Sequence, residues 1–235
     1  MDFYLVLSLG FFIGMQHALE ADHLAAVAAL THEHGSRRAL VLRGSVWGLG
    51  HTITLAAICG VLLVLGRTIS PRVEAGLELA VGCMIIGLGA NVLYGMWRRR
   101  LHIHVHRHGD GLRHIHVHGH ATESTPHELS SHDHAHENLR LGRALLVGMM
   151  HGAAGSAGLL MLAAASGSTA QAVGYVIAFG IGSIAGMAAL SFVASFPIRF
   201  VERYATWLNT AAFACIGGAA MVVGARLVVE SWAAL

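Results

Sequence analysis

Residues 3–30, FYLVLSLGFFIGMQHALEADHLAAVAAL, indicate the class of fold because they form one apolar stretch with a polar cluster in its middle. A hydrocarbon core of about 30 Å is crossed by about 20 helical residues, so the stretch is long enough to span a bilayer. The mostly apolar runs Phe3–Met15 and Leu24–Leu30 contain 13 and 7 residues, and each is too short to cross alone. Five polar side chains lie between them: Gln16, His17, Glu20, Asp22 and His23.

This polar cluster is unfavourable in lipid and therefore predicts a function. Each ionised carboxylate near the bilayer centre costs about 2.5 to 3.5 kcal/mol on insertion scales. Two imidazoles and two carboxylates within seven residues suit a borderline divalent cation, which takes nitrogen and oxygen donors. The alternative is an internally paired histidine and carboxylate network that only holds helices together.

The rest of the chain repeats the apolar pattern. Of its 235 residues 55% are hydrophobic and only 12% are charged, whereas a soluble domain has about 25% charged residues. Backbone groups in lipid must be satisfied within their own segment, and the apolar runs are too long for barrel strands. We expect an all-α integral membrane protein with about six transmembrane helices. The five further spans are placed near 42–65, 73–97, 141–165, 170–196 and 205–229.

Several classes of function are excluded or disfavoured by residue content. All fifteen basic residues are arginines, so there is no lysine for a phosphate-binding loop or a Schiff base. No basic stripe is interleaved with aromatics, which argues against nucleic acid as a partner. An intramembrane serine protease would need a GxSG nucleophile and a later histidine, but no histidine follows His151. We therefore expect neither an enzyme nor a prosthetic cofactor.

Two halves of the chain resemble each other when they are aligned in parallel. Gly14-Met-Gln-His17 resembles Gly148-Met-Met-His151, and Trp47-Gly-Leu-Gly50 resembles Phe179-Gly-Ile-Gly182. Three spans in each repeat would place the second copy upside down, as in many secondary transporters, whose substrate sites lie at the repeat interface. Chance similarity among Gly- and Ala-rich helices is the alternative.

We therefore predict a 3+3 inverted repeat with a connector. Residues 1–97 form the first repeat with the metal motif, 98–139 the connector, and 140–235 the second repeat. His151 occupies the position equivalent to His17, which makes it a candidate metal ligand, whereas Ser183 replaces His51 and makes the second half chemically poorer.

The connector contains twelve of the eighteen histidines, in runs that cannot build a core. We expect it to be mobile without metal and to bind metal weakly, with an inert linker as the alternative. Twelve of the fifteen arginines fall on its side of the membrane. Because basic residues favour cytoplasmic loops, we predict a bacterial inner-membrane protein with both termini outside and the connector inside.

The segment His17-Ala-Leu-Glu-Ala-Asp22-His23 resembles the H-x4-D-H signature of the nickel/cobalt transporter family, and Leu49-Gly50-His51-Thr52 resembles its second signature. The six predicted spans are more similar to the smaller urease accessory and nickel permease-like branch. The resemblance implies secondary transport of Ni²⁺ or Co²⁺ across the lipid bilayer, and a functional link to urease or hydrogenase maturation. It also implies that His17, Asp22 and His23 are metal ligands or their immediate partners, with His51 contributing from the next helix. The alternatives are zinc or manganese transport, metal efflux, an intramembrane metalloenzyme and a metal sensor.

If His17, Asp22 and His23 converge on one ion, the first span cannot be a regular helix. At 100° per residue, Glu20 lies at about −60° from His17, His23 at about −120° and Asp22 at about +140°. We therefore predict an interruption between Gln16 and Leu24, as in the broken helices of transporters. In a straight helix Asp22 would instead fix the tautomer of a ligand histidine by accepting its other ring proton.

Overall fold

A computed structural model of the chain describes residues 2–31, 36–66, 69–98, 102–107, 113–118, 133–154, 168–204 and 206–235. Within these residues the chain forms seven helices and one antiparallel hairpin. The helices are α1 (Phe3–His17), α2 (Ala21–Thr31), α3 (Arg37–Leu65), α4 (Pro71–Arg98), α5 (Asp133–Ala154), α6 (Thr169–Tyr204) and α7 (Thr206–Ala234). The hairpin, β1 (His102–Arg107) and β2 (Arg113–His118), lies between α4 and α5 in the chain.

Four of these helices, α3, α4, α6 and α7, are each long and apolar enough to cross a membrane. Helices α1 and α2 meet the same criterion only together, as a bent pair of the kind found in broken spans and in re-entrant loops. The chain is therefore a multi-pass α-helical membrane protein. The predicted fourth span, 141–165, is only partly described, because α5 ends at Ala154 and residues 155–167 lie outside the described residues. The described helices thus account for up to five of the six predicted spans.

The first span is interrupted, as predicted. Helix α1 ends at His17 in short turns, in which the Leu19 amide donates to the Gln16 carbonyl at 2.9 Å and the Glu20 amide to the His17 carbonyl at 3.1 Å. Helix α2 starts again at Ala21, and the two axes differ by 58°. The Asp22 carboxylate accepts the His23 backbone N–H at 2.8 Å, which satisfies an amide in the first turn of α2. The polar cluster therefore lies at a helix break inside an apolar span.

Glycines allow the helices that surround this break to approach closely. Helix α1 packs along α6, α3 packs against both α5 and α6, and α4 packs along α7. Gly14 lies against the Phe179 backbone and Gly148 against the Trp47 backbone. A Cβ atom added at either glycine would lie 2.9 Å from the carbonyl carbon of its neighbour, closer than real Cβ contacts come. These two contacts set the distance from α1 to α6 and from α5 to α3.

Part of the predicted connector forms regular secondary structure. Strands β1 and β2 pair antiparallel with His102 opposite His118, and α5 begins at Asp133, inside the predicted connector. Residues 99–101, 108–112 and 119–132 of the connector lie outside the described residues.

Candidate metal centre

Four helices bring the five predicted site residues together. His17 ends α1, Asp22 and His23 lie in the first turn of α2, His51 lies in the middle of α3, and His151 lies near the end of α5. Three of the imidazoles are almost completely buried, with exposed fractions of 0% for His51, 1% for His23 and 2% for His151. Residues 134 positions apart in the chain therefore form one polar cluster inside an apolar bundle.

Close packing of α5 on α3 is needed for this convergence. Gly152, next to His151, lies against the backbone of His51, and a Cβ atom at that position would be 2.9 Å from the His51 Cα. Gly50, next to His51, lies in turn against the Leu145 backbone. Larger residues at either glycine would separate the helices and with them the two histidines.

One part of the cluster consists of three histidines, His17, His23 and His51. One ring nitrogen from each lies within 4.8 Å of the others, which is close enough for a shared metal ion. The ring of His17 lies 4.4 Å from that of His23 and 5.2 Å from that of His51, measured between centroids. Imidazole is a ligand suited to zinc, copper, iron and nickel.

Asp22 connects two further histidines in a second part of the cluster. Its Oδ1 accepts a hydrogen bond from Nδ1 of His23 at 2.9 Å, and its Oδ2 accepts one from Nε2 of His151 at 2.8 Å. An ionised carboxylate can only accept hydrogen bonds, so these contacts assign the ring protons to Nδ1 of His23 and Nε2 of His151. The lone pairs are then on Nε2 of His23 and Nδ1 of His151.

A similar contact orients His17. Its Nδ1 lies 2.9 Å from Oε1 of Glu20, three residues later in the chain. If the proton is on Nδ1, Nε2 carries the lone pair. Carboxylates that hold the second ring nitrogen of a metal-binding histidine fix its orientation and raise its basicity.

The remaining ring nitrogens have no hydrogen-bond partner among the described residues, although they are buried. They are Nε2 of His17, Nε2 of His23, Nδ1 of His151 and both nitrogens of His51. Burying a polar atom without a partner is unfavourable, so such atoms are rare in proteins unless they have a further function. A divalent cation would provide a partner for several of these atoms at once.

The family resemblance implied that Asp22 is a metal ligand or an immediate partner of one, and its side-chain hydrogen bonds are with two histidines. A metal-bound Asp22 would lie close to both His17 and His23. In the structure its carboxylate lies close to His23 and His151. It takes the hydrogen-bonding role that was expected only in a straight helix, although the helix is broken. The reason is that the first turn of α2 directs Asp22 towards α5, while His17 ends α1 on the side of His51.

Two aromatic walls of the site were not predicted. The Trp47 ring lies 5.6 Å from the ring of His23 and 5.8 Å from that of His151, and the Phe179 ring lies 5.3 Å from that of His17. These rings lower the local dielectric constant and so strengthen electrostatic interactions with a bound cation. The sequence signal was available, since Trp47 and Phe179 occupy equivalent positions in the internal alignment.

Comparisons with known proteins give one similarity over most of the chain. No protein-family model matches the chain, and no solved structure matches it. Over 204 residues it is 26% identical to the urease accessory protein UreH of Bacillus sp. (strain TB-90). The aligned region covers 86% of this chain and 81% of UreH. The similarity therefore extends far beyond residues 17–52, which contain the two signatures.

Proposed function

We propose that the chain is a secondary permease for a divalent transition metal ion, with nickel or cobalt as the substrate. The observation that carries the proposal is the group of His17, which is partly buried, and the buried His23 and His51, with ring nitrogens within 4.8 Å of one another at a helix break. Transporters place substrate and ion sites at such discontinuous helices. In this arrangement the ion is held by His17, His23 and His51, and Asp22 orients His23 and His151.

The choice of metal follows from donor chemistry and similarity. Manganese prefers oxygen donors, whereas a nitrogen-rich set suits nickel, cobalt or zinc. The similarity to a urease accessory protein agrees with the nickel permease-like branch that the motifs resemble, and so favours nickel. That relative is an accessory protein and not a named enzyme, which supports transport over catalysis. We further propose a link to the maturation of urease or hydrogenase.

The packing of the helices supports the 3+3 inverted repeat, which we retain as part of the proposal. If the halves are related by a two-fold axis, the contact of α1 with α6 has its counterpart in that of α5 with α3. The glycine contacts follow this rule, because Gly14 against Phe179 corresponds to Gly148 against Trp47. The orientation follows from the arginine distribution: both termini are extracytoplasmic and the connector is cytoplasmic, in a bacterial inner membrane. Reporter fusions at Leu235 and in the connector test it, and a cytoplasmic C-terminus would contradict it.

A flux assay tests the function directly. The purified chain is reconstituted into vesicles that contain a metal-sensitive dye, and Ni²⁺, Co²⁺, Zn²⁺ and Mn²⁺ are added in turn from outside. We expect nickel or cobalt to give saturable flux that is lost in His51→Ala. The matched control is Cys59→Ala, since Cys59 is equally buried on α3 about two turns from His51.

The outcomes separate the alternatives. Saturable flux of zinc alone would mean that zinc is the substrate. In a separate experiment with cells, export from cells loaded with metal, without uptake, would indicate efflux. If the wild-type chain gives no flux of any of the four metals, or if His51→Ala transports as well as Cys59→Ala, the proposed function is wrong.

A further inference from the structure

A cavity of about 410 Å³ lies between the α1–α2 break, α4 and α7. Four of the five residues of the metal centre line it, and His51 does not. Besides Glu20, which contacts His17, the cavity is lined by three charged side chains that have no role in the proposed function so far: Glu78, Arg226 and Glu230. It therefore connects the metal centre with a second group of ionisable residues.

The charges in this cavity favour cations. Its lining includes the carboxylates of Glu20, Asp22, Glu78 and Glu230 and one guanidinium, that of Arg226, so its net charge is −3 with neutral histidines. Ionisable side chains within membrane spans face a water-filled cavity or the bundle interior, because exposure to lipid is costly. A cleft lined by charges of one sign raises the local concentration of the opposite ion.

The inner end of the cavity points independently to a cation. His23 and His151 line it and are 1% and 2% exposed, and His23 Nε2 and His151 Nδ1 have no hydrogen-bond partner among the described residues. The metal centre, with two ring nitrogens that lack a hydrogen-bond partner among the described residues, thus lies directly behind the inner end of the cavity.

The two outer carboxylates are not equivalent. Oε1 of Glu230 accepts a hydrogen bond from Nε of Arg226 at 2.7 Å, so its charge is largely balanced. Oε2 of Glu78 accepts one from the hydroxyl of Ser231 at 3.2 Å, a neutral donor that leaves the carboxylate charge in place. Glu78 is also half-buried, whereas the Arg226 and Glu230 side chains are 78% and 57% exposed.

The cavity opens towards the side of the membrane that holds the C-terminus. Helices α4 and α7 pack antiparallel, with Gly82 beside Gly224 and Gly89 beside Gly217. The start of α4, with Glu78, therefore lies at the same end of the bundle as the end of α7, with Arg226 and Glu230.

We infer that this cavity is the route between the metal centre and that side of the membrane. The carboxylate of Glu78 forms a second binding site on this route, for a hydrated divalent cation. Arg226 lowers the affinity of the route for cations because it balances the charge of Glu230. This inference rests on the proposed function, because it assigns the access path to the same centre.

The test measures nickel flux against nickel concentration in vesicles that contain variants of the full chain. Glu78→Gln should raise the half-saturating nickel concentration about tenfold and leave maximal flux unchanged. Tenfold is the lower limit of the effect that a charged cleft has on the local concentration of an ion. Arg226→Gln removes the balancing charge and should lower the half-saturating concentration. Both effects should shrink as ionic strength rises, because salt screens exposed charges. Glu74→Gln is the matched control, since Glu74 lies one turn earlier on α4 and does not line the cavity.

A higher half-saturating nickel concentration in Glu78→Gln together with a lower one in Arg226→Gln would support the route, since damage to the fold would weaken transport in both. The route is wrong if either variant matches Glu74→Gln, or if both raise the half-saturating concentration. If Glu78→Gln fails to insert into the membrane, Arg226→Gln decides alone, because a gain in affinity is expected of it. Absence of flux of all four metals in the wild-type chain would instead reject the proposed function; if only cobalt is transported, the same variants are compared with cobalt.

Discussion

The two predicted halves of the molecule have similar scaffolds but different chemistry. In both, a glycine in the motif that ends in histidine lies against the backbone of an aromatic residue, Gly14 against Phe179 and Gly148 against Trp47. The first half contributes three clustered histidines, whereas the second contributes His151 and has Ser183 at the position of His51. Close glycine packing is thus shared by the halves, while the clustered histidines are concentrated in one. The shared part sets where helices cross, and the unshared part supplies the groups to which we assign metal binding.

The largest expected effect comes from making the two halves chemically alike. His51→Ser gives α3 the side chain that α6 has at the equivalent position, and it removes one of three clustered imidazoles. We expect nickel flux to fall to background in the vesicle assay. Ser183→Ala, at an equally buried position, should leave most flux intact. Equal losses in the two variants would contradict the chemical difference between the halves.

The next effect concerns the side chain that joins the halves. Asp22→Asn keeps the shape of the side chain but removes the charge that holds His23 and His151 by hydrogen bonds of 2.9 and 2.8 Å. Loss of such a supporting partner typically weakens metal binding 10- to 100-fold, and we expect about that loss. Nickel titration of the purified protein measures it.

Glu20→Gln is the matched comparison for Asp22→Asn, because Glu20 contacts only His17 among the residues of the centre and its side chain is 57% exposed. We expect Glu20→Gln to weaken nickel binding less than Asp22→Asn does. A loss from Glu20→Gln as large as that from Asp22→Asn would mean that His17 depends on its carboxylate as much as His23 and His151 do.

A smaller effect is expected when the shared scaffold is disturbed. Gly14→Ala and Gly148→Ala each place a Cβ atom 2.9 Å from a backbone carbonyl carbon, and overpacking typically costs about 1 to 3 kcal/mol. Thermal unfolding in detergent should show similar decreases in melting temperature for the two variants. Gly87→Ala, on α4 with open space around the glycine, should instead be stabilising, because alanine favours helix more than glycine does. Clearly unequal losses at Gly14 and Gly148 would weaken the argument for the repeat.

The smallest effect on flux is expected from the connector that separates the halves. Deletion of residues 102–136 should leave substantial flux, because none of the five residues of the centre lies in it, and should reduce the response only at low metal concentration. Flux of the deletion variant across a nickel series measures this. Complete loss of flux in a protein that still inserts would place the connector in the transport pathway.

Much of the fold was predictable because it depends on local composition. Apolar runs of the length of α3, α4, α6 and α7 can satisfy their backbone groups in lipid only as helices. The break after His17 was also predictable, since a polar cluster lay between two runs too short to cross alone. The hairpin in the connector was not predicted, because its histidine content was interpreted as a tract without a core, although Ile103, Val105, Ile115 and Val117 alternate with the histidines as in a strand.

The sequence by itself supplied the residues of the candidate centre, because ionisable side chains in an apolar span require partners and because the internal alignment pointed to His151. Only the tertiary structure decided how they pair: Asp22 with His23 and His151, and His17 with Glu20. It also decided that Glu78, Arg226 and Glu230 share a cavity with that centre. The physical reason is that helical periodicity fixes the direction of a side chain within one helix only. The distances between helices are set by glycine contacts such as that of Gly152 with His51, whose partners lie about a hundred residues away in the chain.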